Sequence, residues 1–337
     1  MSNLDTTAGK SQLEGKCNLD VVTIGEAMAL LVAQHPGSLS EVEPFRRTSA
    51  GAELNVAIGL SRLGFRVAYV SRVGSDAFGD YLRAVLRTEG IDQQYVKIDA
   101  DRSTGIMFKS QAEGGEDPDI EYFRKGSAAA HMGPADNPGA ICTSARHLHI
   151  TGISVALSES VRQLVWEMAT QARAAGVRVS FDPNLRPRLW PSQQTMVQCL
   201  NQFATLADVV MPGLSEGQLL SGRQTARDVA AFYLDLGVKQ VVIKLGARGA
   251  YYASEAGHAA VPGLCAQKVV DTVGAGDGFA VGVISALLEG LPLEQAAERG
   301  NAIGARVVQF SGDCEGLPNR IQLAQALAAP RYREVPT

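Results

Sequence analysis

The feature of this chain that most limits how it can fold is an alternation of strand-like and helix-like segments. Apolar runs rich in β-branched residues, which are typical of buried parallel strands, occur within 20–31, 67–70, 145–153, 177–190, 208–222 and 241–252. Segments with apolar residues at helical spacing and a terminal glycine lie at 50–64 and 159–176. This order predicts an α/β fold in which helices cover a mostly parallel sheet.

Composition limits the partners that the chain can have. Its 337 residues are 46% hydrophobic, enough for one large or two ordinary domains, and a formal charge of −4 indicates no basic surface for nucleic acid. No segment approaches the ~20 apolar residues of a membrane span, and residues 1–18 lack the apolar core of a signal peptide. The five cysteines form no C-x-x-C pair. We therefore expect small-molecule substrates and reduced thiols in a cytoplasmic protein.

Two segments interrupt the alternation. Residues 32–48 contain prolines and glycine and little periodicity, and within 95–127 two short apolar runs, around 106–108 and 120–123, are joined by a polar glycine-rich turn that predicts a hairpin. Together they predict a small sheet outside the main core. We expect one domain over 19–330 that includes this sheet, with flexible tails at 1–18 and 331–337.

The segment 269–291 carries the clearest chemistry. A short β-branched approach leads into a turn of Gly274, Ala275 and Gly276, and a helical pattern follows. The first N–H groups of such a helix are unpaired and can bind an anion. Asp277, in the first helical turn, could take a proton from an alcohol while those N–H groups hold a phosphoryl group. Taken alone, the motif is equally consistent with an ordinary helix N-terminus that carries a favourable acidic residue.

The string DTVGAGDGF at 271–279 matches the C-terminal signature of the ribokinase-like (PfkB) carbohydrate kinases, and the chain upstream resembles that family almost from end to end. The resemblance implies a three-layer sandwich with a β-sheet lid from about 32–48 and 95–127, and a homodimer or higher homo-oligomer formed through the lid. It also implies phosphoryl transfer with ATP and Mg²⁺, with K⁺ as a candidate monovalent cation. Asp277 is then the base, and its place at a helix N-terminus leads us to expect an ionised carboxylate at neutral pH.

The substrate residues are predicted partly from alternation along a strand. Tyr122 and Arg124 project to one face, where a ring and a guanidinium can meet one ligand, and Arg is suited to a carboxylate. The string YFRKGS at 122–127 resembles the lid motif of 2-keto-3-deoxygluconate kinases, whose substrate is a sugar acid; the alternative is an amphipathic strand with an exposed charge. By resemblance, Gly51 and Asn55 form the N-terminal sugar-binding signature, and Asp313 touches substrate.

The nucleotide residues follow from a second set of strand ends. Asp182, Asn184 and Arg186 cluster after the strand at 177–190, at the edge of an α/β sheet where ligands bind; without chemistry, the same residues make a good turn. The resemblance implies that Asn184 and Arg186 approach the ATP phosphates, with Arg186 also near the substrate. It further implies that Lys244, Gly246 and Gly249 lie along the ATP, with Gly274 at its phosphates and Asn301 near adenine. No Walker loop is present.

Ion sites are less clearly marked. Relatives in the family carry an Asn-x-x-Glu motif. This sequence keeps its glutamate as Glu216 but has Gly213 in place of the asparagine, so Glu216 is predicted to contact Mg²⁺ only through water. The resemblance implies that Asp271 helps to hold a monovalent cation. His147 and His149 share a strand face without a third ligand nearby, and we interpret them as ordinary strand residues.

We therefore expect an ATP-dependent kinase that phosphorylates a hydroxymethyl group of 2-keto-3-deoxygluconate. The nearest alternatives are 2-ketogluconate or a neutral ketose such as fructose as substrate. A sugar or nucleotide sensor without catalysis is an alternative of another class, although a sensor does not need Asp277. A nicotinamide dehydrogenase is not supported, because the dinucleotide fingerprint is missing.

Overall fold

A computed structural model describes residues 19–111 and 118–331 of the chain. The strands are β1 Val21–Ile24, β2 Met28–Ala33, β3 Phe45–Ala50, β4 Val67–Gly74, β5 Val96–Asp99, β6 Gly105–Lys109, β7 Ile120–Phe123, β8 His147–Thr151, β9 Arg178–Asp182, β10 Val209–Val210, β11 Gln240–Lys244, β12 Gly249–Ser254 and β13 Gly257–Pro262. The helices are α1 Ala52–Arg62, α2 Ala77–Thr88, α3 Ala140–Ser144, α4 Gly152–Leu157, α5 Glu159–Ala174, α6 Gln193–Ala204, α7 Leu214–Ser221, α8 Ala226–Asp235, α9 Ala275–Leu288, α10 Leu293–Val307 and α11 Arg320–Leu327.

The central sheet has nine strands in the order β13-β12-β11-β10-β9-β8-β1-β4-β5. The seven strands from β11 to β5 are parallel, and β12 and β13 form an antiparallel edge. Successive strand residues point to opposite faces, so that Val21 and Val22 belong to different hydrophobic clusters. One cluster packs under α3–α8 and the other under α1, α2 and α9–α11. The predicted three-layer α/β sandwich is confirmed.

A second sheet, hereafter the small sheet, has the order β3-β2-β6-β7. Its strands β6 and β7 pair antiparallel, with Phe108 opposite Glu121, which confirms the hairpin predicted from the runs at 106–108 and 120–123. The polar glycine-rich turn predicted between the two runs falls on residues 112–117, which lie outside the described residues. The hydrophobic core of the small sheet is limited to Met28, Leu30, Val32, Ala50 and Met107. The small sheet therefore depends on contacts with the central body for much of its order.

The run at 20–31 forms two strands that belong to different sheets. It breaks at Gly25 as predicted, but β2 already starts at Met28 and enters the small sheet, four residues before the segment at 32–48 assigned to that sheet. Residues 25–27 thus carry the chain from one sheet to the other. This crossing places Glu26 between the two sheets, where sequence alternation alone gives no indication of it.

Several boundaries differ from the sequence prediction. The strand expected over 145–153 ends at Thr151, whose hydroxyl accepts the N–H of Ile153 and caps the short helix α4. The predicted tails lie outside the described residues except for Arg331, which forms a bridge with Leu264.

None of the helices within the described ranges is long and apolar enough to cross a membrane.

Candidate active site

The N-terminus of α9 lies at the centre of the site. Gly274 precedes the helix with a φ of +83°, and a Cβ atom there would lie 2.5 Å from the carbonyl oxygen of Asp313, so both the backbone conformation and the available space require glycine. The first bond within the helix runs from the N–H of Gly278 to the Gly274 carbonyl at 2.9 Å. The preceding N–H groups, including those of Ala275 and Gly276, therefore point out of the helix end. That of Ala275 makes only a long bond, 3.3 Å, to the Thr272 carbonyl.

Asp277 is the third residue of α9 and is buried. Its Oδ2 accepts a 2.8 Å hydrogen bond from Nδ2 of Asn55 on α1. Burial raises the pKa of Asp277 to about 7, and the Asp182 and Asp313 carboxylates add to the rise while the Asn55 bond opposes it. The carboxyl group is therefore only partly ionised at neutral pH, in contrast to the ionised state expected from the helix dipole alone. Its pKa near 7 suits a general base.

Two cavities meet at this helix end. The polar cavity, of about 340 Å³, is lined by eleven of the predicted residues: Gly51, Asn55, Tyr122, Arg124, Asn184, Arg186, Lys244, Gly274, Gly276, Asp277 and Asp313. The apolar cavity, of about 310 Å³, contains Gly246, Gly249, Ala275 and Asn301 along its lining. Lys244, Thr272 and Gly276 border both cavities. A group bound in one cavity would thus lie next to a group bound in the other at the N-terminus of α9.

The small sheet closes one side of the polar cavity through Met28, Met107, Ile120 and Tyr122. The guanidinium carbon of Arg124 lies 5.6 Å from the centre of the Tyr122 ring, so these two side chains share a face as predicted. Tyr122 is 43% exposed. A ligand in the cavity could therefore contact the Tyr122 ring and the Arg124 guanidinium at the same time.

Two buried glutamates border this cavity, and neither is predicted from the sequence. Glu26 forms an ion pair with Arg124 and accepts a hydrogen bond from the Ser127 hydroxyl. Glu53, inside α1, accepts hydrogen bonds from the hydroxyls of Thr151 and Ser154, and burial raises its pKa. The one available signal was an acid inside an otherwise apolar helical pattern at Glu53. Its partners are about a hundred residues away and could not be predicted from spacing.

Unpaired polar atoms also border the polar cavity. The Nε of Arg124 and the Oδ1 of Asn55 are buried and have no hydrogen-bond partner among the described residues. Buried polar groups are normally paired, and exceptions commonly mark a place for a ligand or water. The cavity lining thus offers a donor, from the residue that follows β7, and an acceptor, from α1.

Gly51 is the N-cap of α1 and has a φ of +144°, and a Cβ atom there would lie 2.4 Å from the carbonyl oxygen of Glu26.

Asn184 is the single non-glycine residue with positive φ, +36°, in the described part of the chain. Asn tolerates this conformation better than most residues, and such positions cluster at binding sites. Arg186 is exposed at the cavity mouth, with Nη1 bonded to the Leu185 carbonyl at 2.8 Å.

Lys244 ends β11 at the border of the two cavities. Its Nζ donates a 2.6 Å hydrogen bond to Oδ2 of Asp182 at the end of β9, and would lie 3.6 Å from a Cβ atom on Gly276. Burial alone would lower the pKa of Lys244, but the Asp182 and Glu216 carboxylates outweigh it and raise the pKa. A charged ammonium group therefore sits beside the unpaired end of α9. The ends of β9 and β11 lie on the ligand-binding edge of an α/β sheet.

The apolar cavity is lined by Leu264, Phe279 and Val308 in addition to the glycines of the β11–β12 turn. Gly249 has a φ of +105°, and a Cβ atom there would lie 2.1 Å from the Val261 carbonyl oxygen. Asn301 borders the cavity, but its Nδ2 already bonds the carbonyls of Val261 and Pro262 at 3.3 and 3.2 Å. Its observed contacts thus hold β13 against α10.

The residues predicted for ions lie outside both cavities. The two oxygens of Glu216 accept the N–H groups of Gly213 and Leu185 at 2.6 and 2.8 Å, so this side chain caps α7. Asp271 accepts the Val273 N–H at 2.9 Å and forms an ion pair with Lys109 at 2.7 Å. The part of the chain that the structure describes contains no group of three His, Cys, Asp or Glu residues able to hold a metal.

The two histidines of β8 have no role at this site. His147 Nε2 and His149 Nδ1 lie 2.8 and 2.9 Å from the Ser180 hydroxyl, and both rings are fully buried. Burial lowers the pKa of His149 to about 3 and that of His147 well below its ordinary value. They are neutral core side chains, which agrees with their interpretation as ordinary strand residues.

Comparison with known proteins was consistent with this geometry. The model of the pfkB family carbohydrate kinases matches residues 18–320. A 2-dehydro-3-deoxygluconokinase from Bacillus subtilis (strain 168) is 46% identical over 314 residues, which cover 93% of this chain and 97% of that protein.

Solved structures of related proteins have the same fold. The PfkB protein from Polaromonas sp. JS666 superposes with a TM-score of 0.84 at 52% identity, covering 91% of this chain and 99% of that one. A double mutant of fructokinase from Vibrio cholerae O395, solved with fructose, ADP and potassium ion, superposes with a TM-score of 0.80 at 28% identity, covering 92% and 99%.

Proposed function

The chain belongs to the pfkB family of carbohydrate kinases, and we propose that it transfers a phosphoryl group from ATP to a hydroxymethyl group of 2-keto-3-deoxygluconate. The single observation that carries the proposal is the meeting of two cavities at the N-terminus of α9 beside Asp277. The sugar acid binds in the polar cavity and ATP in the apolar one. The phosphoryl group then crosses at Gly274–Gly276.

The transferring phosphoryl group needs positive charge and hydrogen-bond donors around its oxygens. The N–H groups at the start of α9 supply the donors, and Lys244, held by Asp182, supplies the charge at the border of the cavities. Arg186, at the mouth of the polar cavity, adds a second cation, and Asn184 lies beside it. Mg²⁺ enters with the ATP phosphates, whose charge it neutralises. We assign no direct protein ligand to it.

Asp277 accepts the proton of the attacking hydroxyl group. Its carboxylate borders the polar cavity, and the Asn55 amide fixes its orientation. Because the pKa of Asp277 is about 7, the carboxylate can take the proton and release it again near neutral pH. A binding sensor would need neither this buried acid nor the amide that orients it, so catalysis is favoured over sensing.

Arg124 and Tyr122 support an acid as the substrate. Arg124 Nε is a buried donor without a partner among the described residues, and a substrate carboxylate can accept from it. Glu26 already pairs with this guanidinium, so that in the free protein the positive charge is balanced. We propose that the substrate carboxylate adds to this pair, with Asn55, Gly51 and Asp313 contacting its hydroxyl groups.

Substrate choice is tested by comparing turnover of 2-keto-3-deoxygluconate, 2-ketogluconate and fructose in an ATP-to-ADP coupled assay. The proposal expects the two acids to be preferred over fructose, with 2-keto-3-deoxygluconate first. The relative named as a fructokinase keeps fructose as the second candidate. Preference for fructose by a wide margin would refute the role of Arg124.

The four described cysteines are free thiols, which supports a cytoplasmic location for the enzyme.

The outer surface of the small sheet supports a homo-oligomer. Phe123 is 59% exposed, and its ring stacks edge to face on Phe108 at 5.6 Å, which in turn contacts Phe45 at 5.4 Å. An exposed aromatic group of this kind favours association with a second copy through the small sheet. Sedimentation of the protein and of a Phe123→Ser variant tests this; an unchanged oligomer in the variant would contradict it.

A further inference from the structure

Lys109, the last residue of β6, is buried with 1% of its surface exposed. Its Nζ lies 2.7 Å from Oδ2 of Asp271 and 2.7 Å from Oδ1 of Asp313. The three residues come from three separate parts of the chain, and the two aspartates are buried as well. A buried lysine that bridges two buried carboxylates is uncommon and calls for a physical explanation.

The two aspartates lie on either side of the turn at residues 273–274 that precedes α9, hereafter the glycine turn. Asp271 precedes Gly274 by three residues, and its Oδ1 accepts the Val273 N–H inside the turn. The Asp313 backbone packs against Gly274, and the Asp313 side chain borders the polar cavity. Two negative charges would therefore lie close to the place where phosphate charge must be held. Without a compensating cation they would oppose the binding of the phosphoryl group.

The resemblance to ribokinase-like enzymes implied a monovalent cation at Asp271, and the related fructokinase was solved with potassium. The residues present do not fit that ion. Both oxygens of Asp271 are engaged, one by a backbone N–H and the other by an ammonium group. A potassium ion placed on this carboxylate would lie beside the Lys109 ammonium, and the like charges would repel each other in a poorly solvated environment.

We propose that the Lys109 ammonium takes the place of the monovalent cation, so that catalysis by this chain does not depend on K⁺. The inference rests on the proposed kinase function. Burial alone would disfavour the charged amine, but Asp313 and Asp271 outweigh it and raise the pKa of Lys109, so the charge is permanent at neutral pH. Because Lys109 belongs to the small sheet, the same contact also fastens that sheet to the glycine turn.

The first test uses the unmodified protein. Kinase activity is measured in potassium, sodium and tetramethylammonium chloride at equal ionic strength and equal Mg²⁺. We expect the same kcat and KM in all three salts. Activation of about tenfold or more by potassium over tetramethylammonium, the size of an added charge contact, would overturn the proposal. This outcome does not depend on the folding of any variant.

The second test separates the charge from the space that the side chain fills. Lys109→Ala removes both, whereas Lys109→Met removes the charge and keeps most of the volume. In tetramethylammonium both variants should lose about 10²-fold in kcat. Potassium or ammonium should restore Lys109→Ala but not Lys109→Met. Full activity of Lys109→Met in tetramethylammonium would contradict the proposal.

The matched control is Lys239→Ala, which removes a lysine that pairs with Asp208 at 2.7 Å but has a side chain that is 74% exposed and lines neither cavity. It should show neither a loss of activity nor an ion effect. Thermal unfolding of the ligand-free proteins gives a readout that needs no substrate: potassium should raise the Tm of Lys109→Ala and leave the unmodified protein unchanged. If no sugar acid is phosphorylated in any salt, the kinase proposal fails, while this Tm series still decides the inference about Lys109.

Discussion

The Asn55 amide donates a 2.8 Å hydrogen bond to the Asp277 carboxylate, and so joins the first helix of the chain to the ninth. The two residues are 222 positions apart. The bond favours the ionised carboxylate and opposes the burial that raises its pKa. It also fixes which carboxylate oxygen remains available to a hydroxyl group in the polar cavity.

The pH dependence of kcat/KM should follow the ionisation of Asp277. This parameter reports groups of the free enzyme, so it should fall as the pH drops below about 7, the pKa of Asp277. Asn55→Ala removes the bond that lowers this pKa, so its acidic limb should move to higher pH. Rate profiles from pH 5 to 9 measure both. An unshifted limb in the variant would show that Asn55 does not act on the titration of Asp277.

The stability of Asp277→Asn should show the opposite trend from its activity. The folded-state pKa lies above the ordinary value, so the buried carboxylate destabilises the fold at pH above 7, and this cost disappears as the pH falls towards 4. The rise from 3.8 to about 7 corresponds to at most about 4 kcal/mol. The variant should therefore be the more stable protein at pH 8, by an amount that shrinks towards pH 5. Denaturant unfolding at these two pH values tests the sign.

Arg124→Lys should impair the acid substrate selectively. Lysine keeps the charge but loses the planar fork and the unpaired Nε donor. Loss of a charged hydrogen bond of about 1.5–3 kcal/mol predicts a rise of about 10- to 150-fold in KM for the sugar acid, with little change for fructose. Lys125→Gln, which removes the neighbouring exposed cation, is the matched control. Equal losses on both substrates would indicate a purely structural role.

Gly274→Ala should damage activity more than stability. The variant has a strained φ of +83° and brings Cβ to 2.5 Å from the Asp313 carbonyl oxygen, so the glycine turn must shift. Gly290→Ala is the control, because Gly290 has a similar φ of +77° with open space around its Cβ position. The φ strain should cost each variant about 1–2 kcal/mol of stability, and the clash should add to the loss in Gly274→Ala, but Gly274→Ala alone should lose about 10²-fold or more in kcat. Steady-state kinetics measures the effect on kcat, and urea unfolding measures the effect on stability.

The sequence could predict the parts of the site that are local. The turn before α9, the polar strand end at Asn184 and the alternation of Tyr122 and Arg124 each depend on a few consecutive residues, and all of them line the polar cavity. The hairpin of the small sheet could be predicted for the same reason. Such signals survive because turn chemistry and side-chain alternation are properties of short segments.

The remaining features depend on contacts between distant segments. Glu26 and Lys109 received no role because their partners, Arg124 and the Asp271–Asp313 pair, become neighbours only when the small sheet packs on the central body. Glu216 and Asp271 were predicted as ion residues, but backbone N–H groups and a lysine occupy their oxygens. The ionised state expected for Asp277 came from the helix dipole, whereas burial has the larger effect on its pKa.

The central claim is that Asp277 is the base at the meeting point of two cavities, and Asp277→Asn tests it most directly. Turnover of 2-keto-3-deoxygluconate is measured by the coupled assay, and ATP affinity of the same protein by titration calorimetry. The predicted result is a loss of about 10²- to 10⁴-fold in kcat, the usual contribution of a general base, with ATP affinity essentially unchanged. An Asp277→Asn protein that binds ATP and keeps most of the original turnover would contradict the account.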